Sequence, residues 1–263
     1  MIQQVLNYLP GDFPWQNQIQ WFETIESTNT YAKQLAAAGV PHGTVLLADH
    51  QTGGRGRMGR SFVSPTGTGI YLSVLLRPEC VPQQLMHLTC AAGVAMCDAV
   101  ENTCGLRPGI KWTNDLVFQN RKLGGILTEL VVTPGSTAAI VGIGINVCQT
   151  VSAFPPELQS FAGSLAMFSA QMPSRALLAA NMIRALYAMS QRLLPDKQTV
   201  LEQYRLDCIT LDTDVSVVRA GEVRHGHAID IDGDGALIVR FHDGHTETVN
   251  SGEVSVRGMY GYV

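Results

Sequence analysis

The chain has 263 residues, of which 46% are hydrophobic and 15% are charged, and its formal net charge is -4. This composition supports a large buried core, argues against intrinsic disorder, and lacks the basic field expected of a protein that binds DNA or an anionic membrane. No uncharged apolar run reaches the roughly 18 residues of a membrane helix, and the first residues lack a signal-peptide pattern. The 6 cysteines include no CxxC pair, so we predict a cytoplasmic protein in a reducing compartment.

The first four fifths of the chain predict a sheet with flanking helices. Residues 1–20 carry no clear pattern and are expected to form an N-terminal strand or arm. Helical periodicity and short apolar runs then alternate with glycine-rich turns. In chain order we predict a helix over 29–38, a strand over 44–48, a loop over 51–69, a strand over 70–76, a helix over 83–104, a strand over 110–112, a hairpin of 116–118 and 123–132, a strand over 138–147, and helices over 174–194 and 197–206.

From about residue 211 the pattern changes to short alternating segments separated by Asp-Gly turns. This pattern is typical of a small all-β barrel of about fifty residues. We therefore expect two domains, 1–210 and 211–263. The predicted strands of the second domain are 215–218, 223–231, 236–241, 246–249 and 254–256.

The strongest local feature is Gly53-Gly54-Arg55-Gly56-Arg57-Met58-Gly59-Arg60, which we call the arginine loop. Glycines let the backbone approach a ligand, and arginines match carboxylate and phosphate groups, so this loop is predicted to bind an anionic ligand. The alternative is a solvated loop with incidental charge. The loop also contains a GxGxxG pattern, but no helix start follows it, which excludes the dinucleotide-binding interpretation.

A second constellation is the run Lys111-Trp112-Thr113-Asn114-Asp115, which we call the KWTND turn, followed by Lys122. In a hairpin these segments lie side by side, which gathers two lysines, an asparagine and an aspartate at one end of the sheet. A lysine there can bridge a carboxylate and a phosphate, and the aspartate can orient an amine. An ordinary solvated turn explains the residues equally well.

The third motif, Gly142-Ile143-Gly144-Ile145-Asn146, ends an apolar strand. Its glycines allow close approach of a ligand, and the asparagine could bind a phosphate or ribose, although close sheet packing explains it better on its own.

Two further patterns do not predict a metal site. An Asp-x-Asp-x-Asp-Gly run resembles the start of a calcium loop, but Phe241 stands where glutamate is needed, so we predict a hairpin turn. Four histidines of the second domain lack a thiolate or a clear carboxylate partner. They are His225, His227, His242 and His245.

Taken in order, these motifs resemble those of the biotin protein ligases, whose marks are Ser-Thr-Asn, GRGRxGR, KWPNDL, KLxGIL and GxGIN. The resemblance runs from about residue 21 to the C-terminus and includes 252–257. Thr113 replaces the usual proline, which loosens that turn, and Phe62 replaces a frequent tryptophan. Only about twenty residues precede the similar region, too few for a helix-turn-helix domain, so no repressor role is expected. The matching segments are Ser27-Thr28-Asn29, 54–60, 111–116, 122–127 and 142–146.

The resemblance implies an α+β fold, in which a mixed sheet with flanking helices (residues 1–210) precedes an SH3-like β-barrel (residues 211–263). It implies a ligase that activates biotin with ATP and Mg²⁺ as biotinyl-5′-AMP. The biotin then passes to a lysine of a biotin carboxyl carrier protein, the acetyl-CoA carboxylase subunit. We expect no DNA or membrane partner, a monomer or weak homodimer, and Mg²⁺ held mainly by the ATP phosphates.

The resemblance also implies residue roles. Lys122 would hold the biotin carboxylate and α-phosphate, Asp115 would orient the incoming amine, and Arg57 would retain the adenylate under a loop that is mobile without ligand. A lipoate–protein ligase shares this chemistry, but GRGRxG with KWxND favours biotin; a non-catalytic biotin sensor would not need Lys122 and Asp115. The implied biotin-binding residues are Ser27, Thr28, Asn29, Gln51, Arg55, Gly56, Arg57 and Lys122, and the ATP-binding residues are Arg60, Phe62, Asn114, Lys122 and Asn146.

Overall fold

A computed structural model describes residues 1–133, 136–219, 222–250 and 255–258. The helices are α1 (Ile2–Leu6), α2 (Thr28–Ala37), α3 (Leu88–Cys104), α4 (Arg175–Arg192) and α5 (Lys197–Asp207), and the strands are β1 (Ile19–Ile25), β2 (Thr44–Gln51), β3 (Gly69–Leu76), β4 (Gly109–Lys111), β5 (Asp115–Phe118), β6 (Arg121–Thr133), β7 (Ser136–Asn146), β8 (Asp214–Arg219), β9 (Glu222–Ile231), β10 (Leu237–Phe241), β11 (Thr246–Val249) and β12 (Ser255–Gly258).

The seven strands β1–β7 form one mixed sheet in the order β1-β2-β3-β7-β6-β5-β4. β1 and β2 are parallel and α2 connects them, whereas the other neighbours are antiparallel. The hairpin predicted around residues 119–121 joins β5 to β6, and Gln119 and Asn120 both have positive φ, as a two-residue hairpin turn requires.

Helices cover both faces of this sheet, so its central strands are apolar on both sides. Alternating residues of β3, such as Ile70 and Leu72, belong to the main core with α3 and α4, while Leu75 packs with Ala32 and Ala36 of α2 on the opposite face. Ser73 also lies in β3 and is fully buried. Its position on the α2 side places a hydroxyl beneath the start of that helix.

Several elements differ from the sequence-based expectation. The N-terminal arm contains α1 and a short 3₁₀ turn instead of a strand before β1. Val5, Leu9 and Phe13 are buried in the main core, but only Val5 lies in α1, so no helical periodicity marks the arm in the sequence. The helix predicted over 83–104 divides into a 3₁₀ turn (Pro82–Leu85) and α3.

The three cysteines of α3 recur every seven residues, a spacing that predicts one face of a helix, and they pack in or against the main core. Cys90 and Cys97 are buried. Burial raises the pKa of the Cys90 thiol to about 12 and also raises the pKa of the Cys97 thiol. Both thiols therefore stay protonated and inert near neutral pH. They behave as small packing residues.

Strands β8–β12 form a second, five-stranded antiparallel sheet in the order β11-β10-β9-β8-β12, which we call the C-terminal sheet. This arrangement agrees with the predicted SH3-like barrel. Residues 252–254 of the C-terminal motif, including the first residue of the strand predicted over 254–256, lie outside the described residues. The boundary at 210/211 stays a prediction.

The C-terminal sheet is tied to the larger sheet by side chains of α5 and the KWTND turn. Lys197 lies 2.6 Å from Asp234, and Trp112 Nε1 donates to the Gly235 carbonyl at 3.0 Å. Asp232 accepts backbone hydrogen bonds from residues 234 and 236, so the Asp-x-Asp-x-Asp run is a hairpin turn, as predicted. Within the described ranges, no helix combines the length and apolarity needed to cross a membrane.

Candidate active site

A cavity of about 790 Å³ opens between the start of α2, the arginine loop, the KWTND turn and strands β6 and β7. Its size is that of a small-molecule or nucleotide site. Twelve of the thirteen residues predicted for the site line this cavity. They are Ser27, Thr28, Asn29, Gln51, Arg55, Gly56, Arg57, Arg60, Phe62, Asn114, Asp115 and Lys122.

One side of the cavity is a hydrogen-bonded polar wall formed by Thr28, Asn29 and Gln51 and supported from behind by the buried Ser73. The Gln51 Oε1 atom accepts from Thr28 N at 2.9 Å and from Thr28 Oγ1 at 3.1 Å. The Ser73 hydroxyl lies 2.7 Å from Thr28 Oγ1 and 2.6 Å from Asn29 Oδ1. The wall is positioned by Ser27, whose side chain caps α2 by accepting from Thr30 N.

The floor of the cavity needs glycine because side chains of other elements occupy the space. A Cβ on Gly142 would collide with the Asn29 amide, and a Cβ on Gly144 would collide with the Phe62 ring. The glycines of the third motif therefore let the polar wall and the Phe62 ring approach β7. The motif therefore serves close packing within the cavity wall, which includes both glycines.

A chain of contacts between charged side chains and one amide crosses the opposite side of the cavity. Arg57 Nη1 donates to Asn114 Oδ1 at 2.7 Å, Asn114 Nδ2 donates to Asp115 Oδ1 at 3.1 Å, and Lys122 Nζ lies 2.6 Å from the same carboxylate oxygen. Burial lowers the pKa of the Arg57 guanidinium, and the nearby Asp115 carboxylate opposes that shift. Two cations are thereby held on either side of one carboxylate.

The arginine loop has a defined conformation in this arrangement. Phe62 N donates to the Gly54 carbonyl at 2.9 Å, and Gly56 N donates to the Arg60 carbonyl at 2.7 Å. Between these bonds Met58 adopts φ +55°, in the left-handed region, and its side chain is 69% exposed. The loop thus closes on itself, with Arg57 pointing at the KWTND turn.

The KWTND turn is supported from behind by α5 and the C-terminal sheet. Its Trp112–Thr113 peptide bond is cis. Thr210 Oγ1 accepts from Trp112 N at 2.9 Å, and the Tyr204 hydroxyl donates to the Thr113 carbonyl at 3.1 Å. Thr113 itself is buried, and its hydroxyl accepts from Arg57 Nη1 at 3.2 Å. The turn therefore connects the loop to the rest of the molecule.

Asn146 is the one predicted site residue outside the cavity lining. Its amide donates to the Gly163 carbonyl at 3.0 Å and accepts from Gln149 Nε2 at 3.2 Å. The first bond holds Gly163, at the end of a segment (158–163) that also pairs with the first residues of β6. An ATP-binding role for Asn146 stays a prediction.

Sequence reasoning missed several lining residues. Lys111 was placed near the site by the hairpin but was given no role, and it is buried in the cavity wall. Ser160 and Phe161 reach the cavity because Lys122 N donates to the Phe161 carbonyl at 2.7 Å. No periodic pattern marks that segment, so only this long-range pairing reveals it. Asn120, at the hairpin turn, also lines the cavity.

The C-terminal histidines lie apart from this cavity. His227 Nδ1 lies 3.0 Å from Asp214 Oδ1, and His225 Nδ1 lies 3.1 Å from the Ser216 hydroxyl. In the part of the chain that the structure describes, no group of three or more histidine, cysteine, aspartate or glutamate side chains is arranged to hold a metal ion.

The sequence matches two known domain families. Residues 21–146 match the biotin/lipoate A/B protein ligase family, and residues 210–257 match the biotin protein ligase C terminal domain. The first range contains the polar wall, the arginine loop and the KWTND turn. The five motifs in which the resemblance was found therefore all fall within it.

Two relatives support the same family assignment. The bifunctional ligase/repressor BirA of Bacillus spizizenii is 35% identical over 231 residues, covering 84% of this chain and 69% of that protein. The biotin–[acetyl-CoA-carboxylase] ligase of Mycobacterium tuberculosis is 34% identical over 234 residues, covering 87% of this chain and 85% of that protein. The chain belongs to the biotin protein ligase family. Among solved structures, the biotin protein ligase from Aquifex aeolicus in complex with biotin and ATP has a TM-score of 0.80 and 27% identity, covering 92% of this chain and 99% of that chain.

Membership of the biotin protein ligase family confirms the predicted fold class, an α+β mixed sheet with flanking helices followed by a small antiparallel β domain. It also separates this chain from a lipoate ligase, because the second matched domain and the named relatives are those of biotin ligases. Family membership alone does not assign a role to each cavity residue.

Proposed function

We infer that this chain is an ATP-dependent biotin–[acetyl-CoA-carboxylase] ligase, which activates biotin as biotinyl-5′-AMP and transfers it to a lysine of a biotin carboxyl carrier protein. The observation that carries this conclusion is the charge of the cavity. Among its lining residues, one carboxylate, Asp115, faces five cationic side chains, although the whole chain has a net charge of -4. Such a site suits two anionic substrates that must meet. The cations are Arg55, Arg57, Arg60, Lys111 and Lys122.

The polar wall and the Phe62 ring suit the two ends of the substrates. Thr28, Asn29 and Gln51 present hydroxyl and amide groups, which match the donors and acceptors of a ureido ring. On the other side, Phe62 offers an aromatic face for adenine. The proposed biotin side is completed by Ser27, Arg55 and Gly56, and the proposed phosphate side by Arg60 and Asn114.

In the first step, an oxygen of the biotin carboxylate attacks the α-phosphorus of ATP. A carbon–oxygen–phosphorus anhydride forms, the bond to the β-phosphate oxygen breaks, and pyrophosphate leaves. Two anions approach each other, so the barrier falls where positive charge is fixed in advance. Lys122 is proposed to lie between the carboxylate and the α-phosphate, with Arg57 closing over them.

In the second step, the carrier lysine amine attacks the carbonyl carbon of the anhydride. The carbon–nitrogen bond of an amide forms, the carbon–oxygen bond to the phosphate breaks, AMP leaves, and the nitrogen releases one proton to solvent. The amine must be neutral and aimed at that carbon. The Asp115 carboxylate is proposed to accept a hydrogen bond from the amine and so orient it. The 2.6 Å contact with Lys122 holds that carboxylate in place.

Mg²⁺ fits this cavity only in part, because Asp115 is the single carboxylate of the lining and is already paired with Lys122. Mg²⁺ commonly keeps few protein ligands and is held by substrate phosphates. We propose that it enters with ATP and supplies charge neutralisation at the phosphates. Asp115 and Asn114 would be its protein ligands, since both carry side-chain oxygens in the cavity lining.

The carrier is proposed as the biotin-accepting domain of an acetyl-CoA carboxylase, following the name of the Mycobacterium tuberculosis relative. A cytoplasmic location, the absence of DNA and membrane partners, and a monomer or weak homodimer belong to the same proposal. Gel filtration with light scattering and fractionation of cells test them directly.

Exchange of labelled pyrophosphate into ATP tests the reaction. We expect exchange with biotin but not with lipoate or octanoate, and streptavidin-detected labelling of a carrier domain when ATP and Mg²⁺ are present. Exchange with lipoate alone would make the chain a lipoate ligase. Biotin binding without exchange would make it a sensor.

A further inference from the structure

Arg57 donates hydrogen bonds to the side chains of two neighbouring residues of the KWTND turn. Its Nη1 atom donates to Asn114 Oδ1 at 2.7 Å and to Thr113 Oγ1 at 3.2 Å. Both acceptors are side chains of the protein itself. The middle of the arginine loop is therefore fastened to the turn by protein groups.

Thr113 is built to hold its hydroxyl in one place. It is 3% exposed, and a β-branched side chain has few χ1 rotamers to choose from. Its own carbonyl accepts from the Tyr204 hydroxyl at 3.1 Å, and Tyr204 is fully buried in the core. The position of the Thr113 hydroxyl oxygen, which accepts from Arg57, is thus fixed by packing in the core.

The biotin protein ligase motif usually has proline at this position, and proline has no hydroxyl. A chain with proline there has one fewer acceptor for the arginine. We propose that Thr113 is a positioning residue that latches the arginine loop through Arg57 in the unliganded enzyme. The latch reduces the ordering that biotin and ATP must bring about, and it slows escape of the adenylate.

A latching role of Thr113 and a purely structural role of Thr113 predict different effects on loop opening and ligand binding. Ordering a glycine-rich loop costs conformational entropy, so a loop that is already fastened binds ligand more tightly. Removing the Thr113 hydroxyl leaves Asn114 as an acceptor, so the loss is that of one hydrogen bond, about fivefold in the open population. The turn itself keeps its Tyr204 contact.

The first experiment uses the unliganded protein and needs no enzymatic activity. Trypsin cleaves after arginine, and the arginine loop carries Arg55, Arg57 and Arg60. When loop opening is fast, the cleavage rate follows the open population. We expect Thr113→Val to speed loop cleavage about fivefold, whereas Thr113→Ser, which keeps the hydroxyl, stays close to the parent. Unchanged cleavage in Thr113→Val, or equal acceleration in Thr113→Ser, would overturn the latch.

A double-mutant cycle separates the latch from general loosening of the turn. Arg57→Ala removes the donor, so adding Thr113→Val should change cleavage at Arg55 and Arg60 no further. If the two substitutions add instead, Thr113 acts through the fold and the proposal fails. A thermal melt of each variant shows whether it is folded. If Thr113→Val is not folded, the same cycle is measured with Thr113→Ala in its place.

The second experiment rests on the proposed function. With biotin and ATP, Thr113→Val should raise the KM for biotin and the release rate of pre-formed adenylate about fivefold, and both by more than it lowers kcat; Thr113→Ser should restore both. A kcat loss with unchanged KM and release would contradict retention by the latch. If the parent shows no pyrophosphate exchange, the proposed function fails, while the trypsin result still decides on the latch.

Discussion

At the residue scale, the chemistry depends on how the Lys122 cation and the Asn114 amide are placed around the Asp115 carboxylate. Lys122 Nζ and Asn114 Nδ2 both contact Asp115 Oδ1, at 2.6 and 3.1 Å. The carboxylate fixes the lysine, and the lysine side chain is still 27% exposed toward the cavity. Incoming anions can therefore compete for Lys122 without leaving Asp115 unpaired, because Asn114 remains bonded to it.

Lys122→Ala is expected to remove most of the adenylation rate. The substitution takes away the positive charge proposed to lie beside the reacting carboxylate and phosphate, and such preorganised groups contribute about 100-fold or more in rate. Pyrophosphate exchange with saturating biotin and ATP measures the effect.

Arg192 offers a control at a distance from the site. It also pairs with a carboxylate, Asp196, at 2.8 Å, and both residues lie outside the cavity lining. Arg192→Ala should leave exchange near the parent value. Near-normal exchange in Lys122→Ala, or an equal loss in both variants, would contradict the role of Lys122.

Asp115→Ala should slow transfer to the carrier more than it slows adenylate formation. The carboxylate is proposed to aim the amine in the second step, while in the first step it only steadies Lys122. Single-turnover transfer from pre-formed biotinyl-5′-AMP isolates the second step. A transfer rate equal to that of the parent would count against the role, and Asp115→Asn shows whether charge or shape is needed.

At the element scale, the arginine loop must open for substrates and close over the adenylate. Arg57→Gly removes the bonds to Asn114 and Thr113 and adds backbone freedom, and both changes favour the open loop. The variant should bind biotin and the adenylate more weakly, yet still form adenylate through Lys122. Released biotinyl-5′-AMP would then label lysines on unrelated proteins.

Serum albumin, which has no carrier sequence, reports this leakage when it is incubated with ATP, biotin and each variant. Arg57→Gly should label albumin more strongly than the parent does, and Arg57→Lys, which keeps the charge without the fork, should lie between them. Omitting ATP should abolish the signal in all three. Albumin labelling no greater than the parent's would mean that Arg57 does not retain the adenylate.

Elements whose signals are local could be predicted from the sequence. Ser27 and Gly39 bracket α2, and Gln119-Asn120 fixes the β5–β6 turn, because caps and hairpin turns depend on a few adjacent residues. The arginine loop was recognisable because its composition is extreme. Local signals of this kind account for most of the sheet, and the ordered motifs contain ten of the twelve predicted site residues that line the cavity, all except Gln51 and Phe62.

What could not be predicted depends on residues distant in sequence. Ser73 reads as one more residue of an apolar strand, and its place behind the polar wall follows only from the packing of α2 on β3. Phe161 reaches the cavity through pairing with Lys122. The bond between Arg57 and Asn114 joins residues 57 positions apart. The spacing of residues along the chain does not predict such long-range contacts.

At the scale of the whole molecule, the C-terminal sheet supports the KWTND turn directly. Trp112 donates to the Gly235 carbonyl although the two residues are 123 positions apart. The Gly235 backbone also packs closely on α3, since a Cβ there would lie 2.7 Å from Cys90 Sγ. The position of the hairpin turn in the C-terminal sheet is thereby linked to the position of the active-site turn.

Gly235→Ala should therefore destabilise the fold and lower adenylation together. Gly235 has φ +88°, where a Cβ costs about 1–2 kcal/mol, and the clash with Cys90 adds roughly 1–3 kcal/mol of overpacking. Gly244 in the same sheet has φ +85°, and a Cβ there would meet nothing within 4 Å, so Gly244→Ala carries the conformational cost alone. Thermal unfolding should show a larger Tm loss for Gly235→Ala, and pyrophosphate exchange, measured below both midpoints, should fall only in that variant because Trp112 shifts. Equal Tm losses would remove the packing argument, and unchanged exchange in Gly235→Ala would show that the C-terminal sheet does not position the KWTND turn.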